Sequence, residues 1–149
     1  MPRIVRTARV EWEGNLARGR GAISAGTGAF ATLRYSNPSR IASAADETSP
    51  EELLAAAHAG CFAMSLAGEL AAAGAAPARL DVRCEIVMDE VPGEGHQIVG
   101  SNVDVRVALD DLKLLTDAVE AADAGCPFSS LLKKAGVEVQ IEVRGASRA

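Results

Sequence analysis

Apolar and small residues follow one another almost without interruption from Ser49 to Gly74, which predicts one long helix. Ser49 is a good N-cap, Pro50 suits the first helical position, and Glu52 stands where the partner of a capping box belongs. About 24 residues at ~1.5 Å each give a length of roughly 36 Å, close to the width of a compact chain of this size. Because alanine and glycine leave no broad polar face, we predict that the helix is buried and pairs with its own copy in a homodimer.

Alternation of hydrophobic and polar residues predicts a three-stranded meander before this helix. The strands are predicted over residues 7–13, 16–25 and 29–35, with turns at Gly14-Asn15 and at residues 26–28. The next segment, residues 36–48, is small, polar and without periodicity, which predicts a loop.

Three further strands and two helices are predicted after the long helix. Strands are expected over residues 80–89, 97–109 and 137–143, with a bulge at Gly100. Between the last two strands, a helix capped by Asp110 or Asp111 is followed by a short helix that starts at Pro127. The order βββ, α, ββ, α, α, β indicates an α+β fold.

Composition narrows the class of protein. The 149 residues, 48% of them hydrophobic, suit a single domain over residues 1–149. A net charge of −5 and a short, interrupted basic cluster near the N-terminus argue against nucleic-acid binding. The N-terminus has no apolar run of signal-peptide length, and the long apolar run carries His58, Ser65 and Glu69. We therefore expect a soluble cytoplasmic protein with no membrane segment.

Three cysteines, Cys61, Cys84 and Cys126, are an odd number and lie far apart in the sequence. Neither a disulfide scaffold nor a zinc site with paired-ligand spacing fits this arrangement, so no metal or cofactor is expected. In a reducing cytosol, a disulfide between two of them would be functional rather than structural.

Cys61 is the first candidate for chemistry, with a small buried hydrophobe as the alternative reading. A reactive cysteine must be a thiolate, and an ordinary thiol with a pKa of ~8.5 is mostly protonated at neutral pH. Cys61 is too far along the helix to profit from its N-terminal dipole, so a cation from elsewhere is required, which directs attention to Arg40. Glu51, roughly 15 Å before Cys61 along the same helix, could orient that arginine or could simply favour the first helical turn.

Two other residues invite a chemical role. Cys126 opens the short helix, where free N–H groups and the helix dipole favour a thiolate. The alternative is that Cys126 merely occupies the cap position and has no chemical role. His58 stands three residues before Cys61, so a Cys-His nucleophile pair is conceivable, and a core histidine with satisfied nitrogens is the alternative. Cys84, by its strand alternation, is predicted to be a core residue.

Three segments resemble the OsmC/Ohr family of thiol-dependent peroxidases, and its OsmC branch in particular. They are SPEELLAAAHAGCF around Cys61, AGCPFS 65 residues after that cysteine, and WEGNLARGRG near the N-terminus. The resemblance covers nearly the whole chain. It implies an α+β fold in which two three-stranded antiparallel sheet portions surround a long central helix. It also implies an intertwined homodimer with two active sites at the interface.

The same resemblance implies roles for individual residues. Cys61 would be the peroxidatic cysteine, Cys126 the resolving one, Glu51 the acidic partner and Arg40 the arginine that activates the thiol. Arg18 and Arg20 in the hairpin are alternatives to Arg40, because the Ohr branch draws its arginine from that region.

The implied activity is reduction of organic hydroperoxides, and more weakly of hydrogen peroxide, to alcohols. A sulfenic acid on Cys61 would condense with Cys126 to a disulfide, and a dithiol, for which a lipoylated protein is one candidate, would restore both thiols. Two other classes stay open: a hydrolase that uses Cys61 and His58, and a binding module without enzymatic activity.

Overall fold

The structure is a computed structural model that describes residues 1–75 and 79–145. The chain divides into two compact units after Pro50. Each unit is described by itself, and the prediction of a single domain over residues 1–149 stays a prediction.

The first unit contains the predicted meander. Strands β1 (Ala8–Glu13), β2 (Arg20–Ala25) and β3 (Leu33–Tyr35) pair antiparallel in that order. Strand β2 begins four residues later than predicted, because Asn15 closes a turn: its side-chain oxygen accepts the N–H of Arg18 at 2.9 Å and its carbonyl that of Gly19 at 2.6 Å. Strand β3 begins late because Thr32, at φ 54°, is left-handed and interrupts the extended backbone.

The predicted loop over residues 36–48 contains a short helix, α1 (Asn37–Ile41), so that prediction was wrong in part. Ser36 caps the helix by accepting the N–H of Ser39 at 3.2 Å, and a proline lies in the first turn. A single turn is too short to produce a hydrophobic period, which is why periodicity missed it. Glu47 folds the rest of the segment back, accepting the Ser36 hydroxyl at 2.9 Å.

The long helix, α2 (Pro50–Ala72), forms as predicted, but a single chain buries only one stripe of it. The fully buried positions recur every four residues: His58, Phe62, Leu66 and Leu70. The other sides remain accessible, and the side chain of Met64 is 75% exposed. By length and composition alone α2 could also cross a membrane, a test that the core helix of a soluble protein passes as well.

The second sheet begins with two long antiparallel strands, β4 (Leu80–Val91) and β5 (Gly95–Val107). The pairing shifts register between Val87 and Met88, where Val87 lies opposite Gly100. The shift leaves Val99 without an opposite residue on β4, so the bulge lies next to Gly100, one residue before the predicted position.

The last strand corrects one detail of the predicted fold. Helices α3 (Leu112–Gly125) and α4 (Pro127–Lys134) lead to β6 (Glu138–Gly145), which pairs with β5 in parallel. The second sheet is thus mixed, not antiparallel throughout. Two helices form a connection long enough to return the chain to the same end of the sheet, as a parallel pair requires. The Asp111 side chain caps α3 by accepting the N–H of Leu114 at 3.0 Å.

The core of the second unit lies between α2, β5 and α3. Its buried members are the apolar stripe of α2, the inward-facing valines of β5, four residues of α3 and Cys126. They are Phe62, Leu66, Leu70, Val103, Val105, Val107, Leu115, Ala118, Val119, Ala122 and Cys126. The α+β architecture with two three-stranded sheets and one long helix is confirmed.

Candidate active site

The structure brings two of the predicted cysteines together in the second unit. Cys61, in the middle of α2, is half-buried, and Cys126 is fully buried in the same core. Both are free thiols, and the Cys126 thiol lies near enough to Cys61 to raise its pKa. Residues 65 positions apart in the sequence are thus brought into the same core, where Cys61 packs against the cluster that contains Cys126.

Cys126 forms the joint between α3 and α4. It ends α3 and precedes the first residue of α4, with an extended backbone at φ −77° and ψ 115°. Its carbonyl accepts the N–H of Ser130 at 3.0 Å. Lys133 of α4 and Asp123 of α3 form an ion pair that ties the two helices on either side of this joint.

The surroundings of Cys61 raise its pKa above the ordinary value of a thiol. Burial is the largest cause, and the hydrogen bond with the Cys126 thiol adds to it. The backbone N–H of Phe128, in the first turn of α4, hydrogen-bonds to the Cys61 sulfur and lowers the pKa in part. The sequence predicted that the N–H groups at the start of α4 favour a thiolate on Cys126, whereas this N–H acts on Cys61. The groups of the second unit leave Cys61 protonated at neutral pH.

A buried polar cluster lies one turn away from Cys61. His58 Nδ1 is 2.8 Å from Ser101 Oγ of β5, and His58 Nε2 is 2.8 Å from Ser129 Oγ of α4. All three residues are completely buried. Cys84 joins the edge of the cluster, with its sulfur 3.3 Å from Ser101 Oγ and 3.8 Å from His58 Nδ1.

These contacts support the alternative reading of His58 as a satisfied core histidine. Burial is the main cause that lowers its pKa, Lys133 lowers it further, and Asp123 opposes them, so the imidazole is neutral near pH 7. Because both ring nitrogens are bonded to serines, neither is placed as the base of a Cys-His pair. The serines have no access to a substrate either, since both are fully buried.

Ser101 and Ser129 were missed by sequence reasoning, although one signal was present. Ser101 occupies the inward-facing register of β5 together with Val103, Val105 and Val107. A serine at such a position requires a buried partner. The partner could not be named, because His58 is 43 residues away from Ser101 in sequence and 71 from Ser129.

Cys84 packs against the core as its alternation predicted. Burial raises the pKa of its thiol, and the hydrogen bond with Ser101 and the charge of Arg83 partly oppose that effect. A thiol in this setting is protonated and a poor nucleophile.

The candidate arginines belong to the first unit. Arg40 lies in the last turn of α1, is exposed, and lines a pocket of about 60 Å³ together with Trp12 and Tyr35, whose ring centroids are 5.5 Å apart. Arg18 lies in the β1–β2 turn and Arg20 begins β2, and both are exposed.

Glu51 lies in the first turn of α2 and is half-buried. It precedes Cys61 by ten residues, nearly three helical turns. This separation matches the sequence expectation that Glu51 can only act on Cys61 through another residue.

Comparison with known proteins identifies the family. The family model described as "OsmC-like protein" matches residues 43–142. A protein from Escherichia coli (strain K12) named Peroxiredoxin OsmC is 33% identical over 131 residues, which cover 87% of this chain and 91% of that protein.

Solved structures show the same fold. The organic hydroperoxide resistance protein OhrB of Bacillus subtilis superimposes with a TM-score of 0.74 at 24% identity, over 93% of this chain and 98% of that one. An organic hydroperoxide resistance protein OsmC from Legionella pneumophila gives a TM-score of 0.76 at 19% identity, over 95% and 98%. Since the family model covers most of the chain and the Escherichia coli relative nearly all of it, the chain belongs to the OsmC-like protein family.

Proposed function

We propose that the chain is a thiol-dependent peroxidase that reduces organic hydroperoxides, and more weakly hydrogen peroxide, to alcohols. The packing of Cys61 against the core cluster that contains Cys126 carries the proposal, because a peroxidase of this kind needs a second thiol near the first. The names of the relatives from Escherichia coli and Bacillus subtilis support it.

In the first step, the Cys61 thiolate attacks the terminal oxygen of the hydroperoxide. The O–O bond breaks, Cys61 becomes a sulfenic acid, and the other oxygen leaves as an alkoxide that takes a proton to become the alcohol. Sulfur is oxidised by two electrons and the peroxide is reduced by two. The N–H of Phe128, which already bonds to the Cys61 sulfur, favours the thiolate in this step.

In the second step, the Cys126 sulfur attacks the Cys61 sulfenic acid, a disulfide forms and water leaves. A dithiol reductant then exchanges with this disulfide, restores both thiols and is itself oxidised to a disulfide. A lipoylated protein would supply such a dithiol. A cytoplasmic location fits this cycle, because a reducing compartment keeps Cys61 and Cys126 available as thiols.

The experiment that tests the proposal is treatment of the reduced protein with one equivalent of cumene hydroperoxide, followed by mass spectrometry of the alkylated peptides. We expect one peptide pair linked between Cys61 and Cys126, and steady consumption of peroxide when a dithiol is present. A protein that bound small molecules without turning over, or that hydrolysed esters, would consume no peroxide. Absence of the link after peroxide has been consumed would refute the two-cysteine mechanism.

We propose that Arg40, held by Glu51, supplies the cation that lowers the pKa of Cys61. The raised pKa of Cys61, set by burial and by the Cys126 thiol, is the reason a cation is required. We expect Arg40→Ala to raise the Cys61 pKa by about one unit or more, because an opposite charge within ~4–6 Å shifts a pKa by ~1–3 units. The alkylation rate as a function of pH measures it.

Arg18→Ala is the matched control for this prediction, since Arg18 is an exposed arginine of the same unit. A rise in the Cys61 pKa with Arg18→Ala and none with Arg40→Ala would assign the role to the hairpin and refute the choice of Arg40.

We also propose a homodimer in which a second copy covers the exposed apolar surface of α2. We expect Met64→Glu to weaken self-association by at least about tenfold, since each copy would place an uncompensated charge in the interface. Sedimentation velocity at graded concentrations measures this change. Leu131→Glu on α4, where the side chain is 59% exposed, is the control and should leave association unchanged. A wild-type protein that stays monomeric at every concentration would contradict the dimer.

A further inference from the structure

A buried imidazole joins the helix that carries Cys61 to the helix that begins beside Cys126. His58 precedes Cys61 by three residues on α2, and Ser129 follows Cys126 by three residues in the first turn of α4. Residues three apart on a helix are neighbours on its surface. The bond of 2.8 Å between His58 Nε2 and Ser129 Oγ therefore links these two helices about one turn from the two cysteines.

The imidazole is itself fixed from its other side. Its Nδ1 is 2.8 Å from Ser101 Oγ, on the middle strand of the mixed sheet. A neutral imidazole has one donating and one accepting nitrogen, and a serine hydroxyl can supply either role. Both bonds are thus satisfied at once in a fully buried setting, where an unbonded polar group would be costly. The first turn of α4 is thereby attached, through His58, to α2 and to strand β5.

We propose that His58 is a positioning residue for disulfide formation: through Ser129, it holds the first turn of α4 so that the Cys126 sulfur stays within reach of Cys61. Bonding requires the two sulfurs to approach to about 2.05 Å in a narrow range of dihedral angles. The start of α4 must be well placed for this approach, and the bond of Ser129 to His58 attaches its first turn to α2. This inference rests on the proposed function only for the purpose of the disulfide. The positioning of Cys126 by His58 does not depend on that purpose.

Ser101 and Ser129 provide a matched pair of variants. The pair separates an effect on the position of α4 from a general effect on the stability of the buried cluster. Each serine is fully buried and bonded to one nitrogen of His58. Ser129→Ala and Ser101→Ala therefore each remove one hydroxyl group and leave one imidazole nitrogen without its serine partner. Only Ser129→Ala removes the bond between the first turn of α4 and His58. Ser101→Ala also removes a hydrogen-bond partner of Cys84, which makes it a demanding control.

The test measures disulfide formation without peroxide. The reduced full-length protein is equilibrated in buffers of reduced and oxidised glutathione, quenched with acid, alkylated, and analysed by mass spectrometry for the Cys61–Cys126 link. Two electrons and two protons pass from the two thiols to oxidised glutathione, which becomes two reduced molecules. We expect Ser129→Ala to lower the equilibrium constant for the link about tenfold, as misplaced reacting groups lose effective concentration, and Ser101→Ala to change it less than about twofold.

Two substitutions of His58 test the same bond from the imidazole side. Gln carries its amide near the position of Nε2 and can keep the link to Ser129, whereas the shorter Asn reaches only the position of Nδ1 and cannot. We expect His58→Gln to stay close to wild type and His58→Asn to behave like Ser129→Ala. This pair decides the question even where Ser129→Ala fails to fold, which thermal unfolding would show.

Equal shifts in Ser129→Ala and Ser101→Ala, or no shift in either, would overturn the inference. Because no peroxide enters, its failure is distinguishable from that of the proposed function. A link that responds as expected in a protein that consumes no peroxide would support the positioning role and refute the peroxidase.

Discussion

Replacement of Cys61 by serine should abolish consumption of cumene hydroperoxide, with a loss of at least about 1000-fold in the steady-state rate. A serine hydroxyl remains protonated at neutral pH and is a far weaker nucleophile toward oxygen than a thiolate. Cys61 is half-buried beside Cys126, so exchange of sulfur for oxygen should leave the fold intact. The assay follows peroxide loss with a dithiol in excess.

Cys84→Ser is the control for that result. Like Cys61, Cys84 is half-buried and has a thiol pKa that burial raises. Its sulfur differs in its partner, which is the Ser101 hydroxyl and not another thiol. We expect this variant to keep most of the activity. If Cys61→Ser retained full activity, or if Cys84→Ser alone lost it, the assignment of the peroxidatic cysteine would be wrong.

Replacement of Cys126 should produce a different defect, a single turnover followed by a stall. Cys61 would still reduce one molecule of peroxide and become a sulfenic acid, but no neighbouring thiol would remain to convert it to a disulfide. With peroxide in excess, the sulfenic acid should then proceed to sulfinic and sulfonic acid, which a dithiol does not reverse. Rapid-mixing kinetics would show a burst of about one equivalent, and mass spectrometry would identify the oxidised peptide.

The buried position of Cys126 calls for two variants. A serine would place a hydroxyl in an apolar core at a cost of ~1–3 kcal/mol, whereas Cys126→Ala avoids that cost and leaves only a small gap. Both variants should show the same burst and the same overoxidation of Cys61. Sustained turnover in both would mean that an external thiol resolves the sulfenic acid directly, and Cys126 would lose its assigned role.

The fold was predictable where local pattern and tertiary structure agree. Helix α2 was predictable from a long apolar stretch with clear ends. Strands β4 and β5 were predictable from alternating hydrophobic residues, and in β5 these residues are the valines that face the core. Helix α1 escaped prediction because a single turn depends on the cap of Ser36 and on a proline rather than on a hydrophobic period. The direction of β6 escaped it because alternation is the same for parallel and antiparallel partners.

The candidate site was predictable to the level of residue types. Two cysteines, one in a helix and one at a helix start, could be selected from the sequence, and the structure places both at the same core. The effect of the Phe128 N–H on Cys61 could not be predicted, because every residue other than proline has a backbone N–H and the sequence does not show which atom it faces. The same holds for the bonds of His58, which join residues on α2, β5 and α4 that only the folded chain brings together.

The parallel pairing of β6 with β5 has a mechanical consequence for the catalytic cycle. Helices α3 and α4 form a crossover whose two ends are fixed to adjacent strands of one sheet, and Cys126 is the extended residue at its middle. Four residues of α3 and Cys126 itself are buried in the core, so the crossover cannot move outward as a whole without exposing them. We therefore expect closure of the disulfide to be a local rotation at Cys126, so the oxidised and reduced forms should have the same outer dimensions, and a reductant would meet nearly the same surface in both.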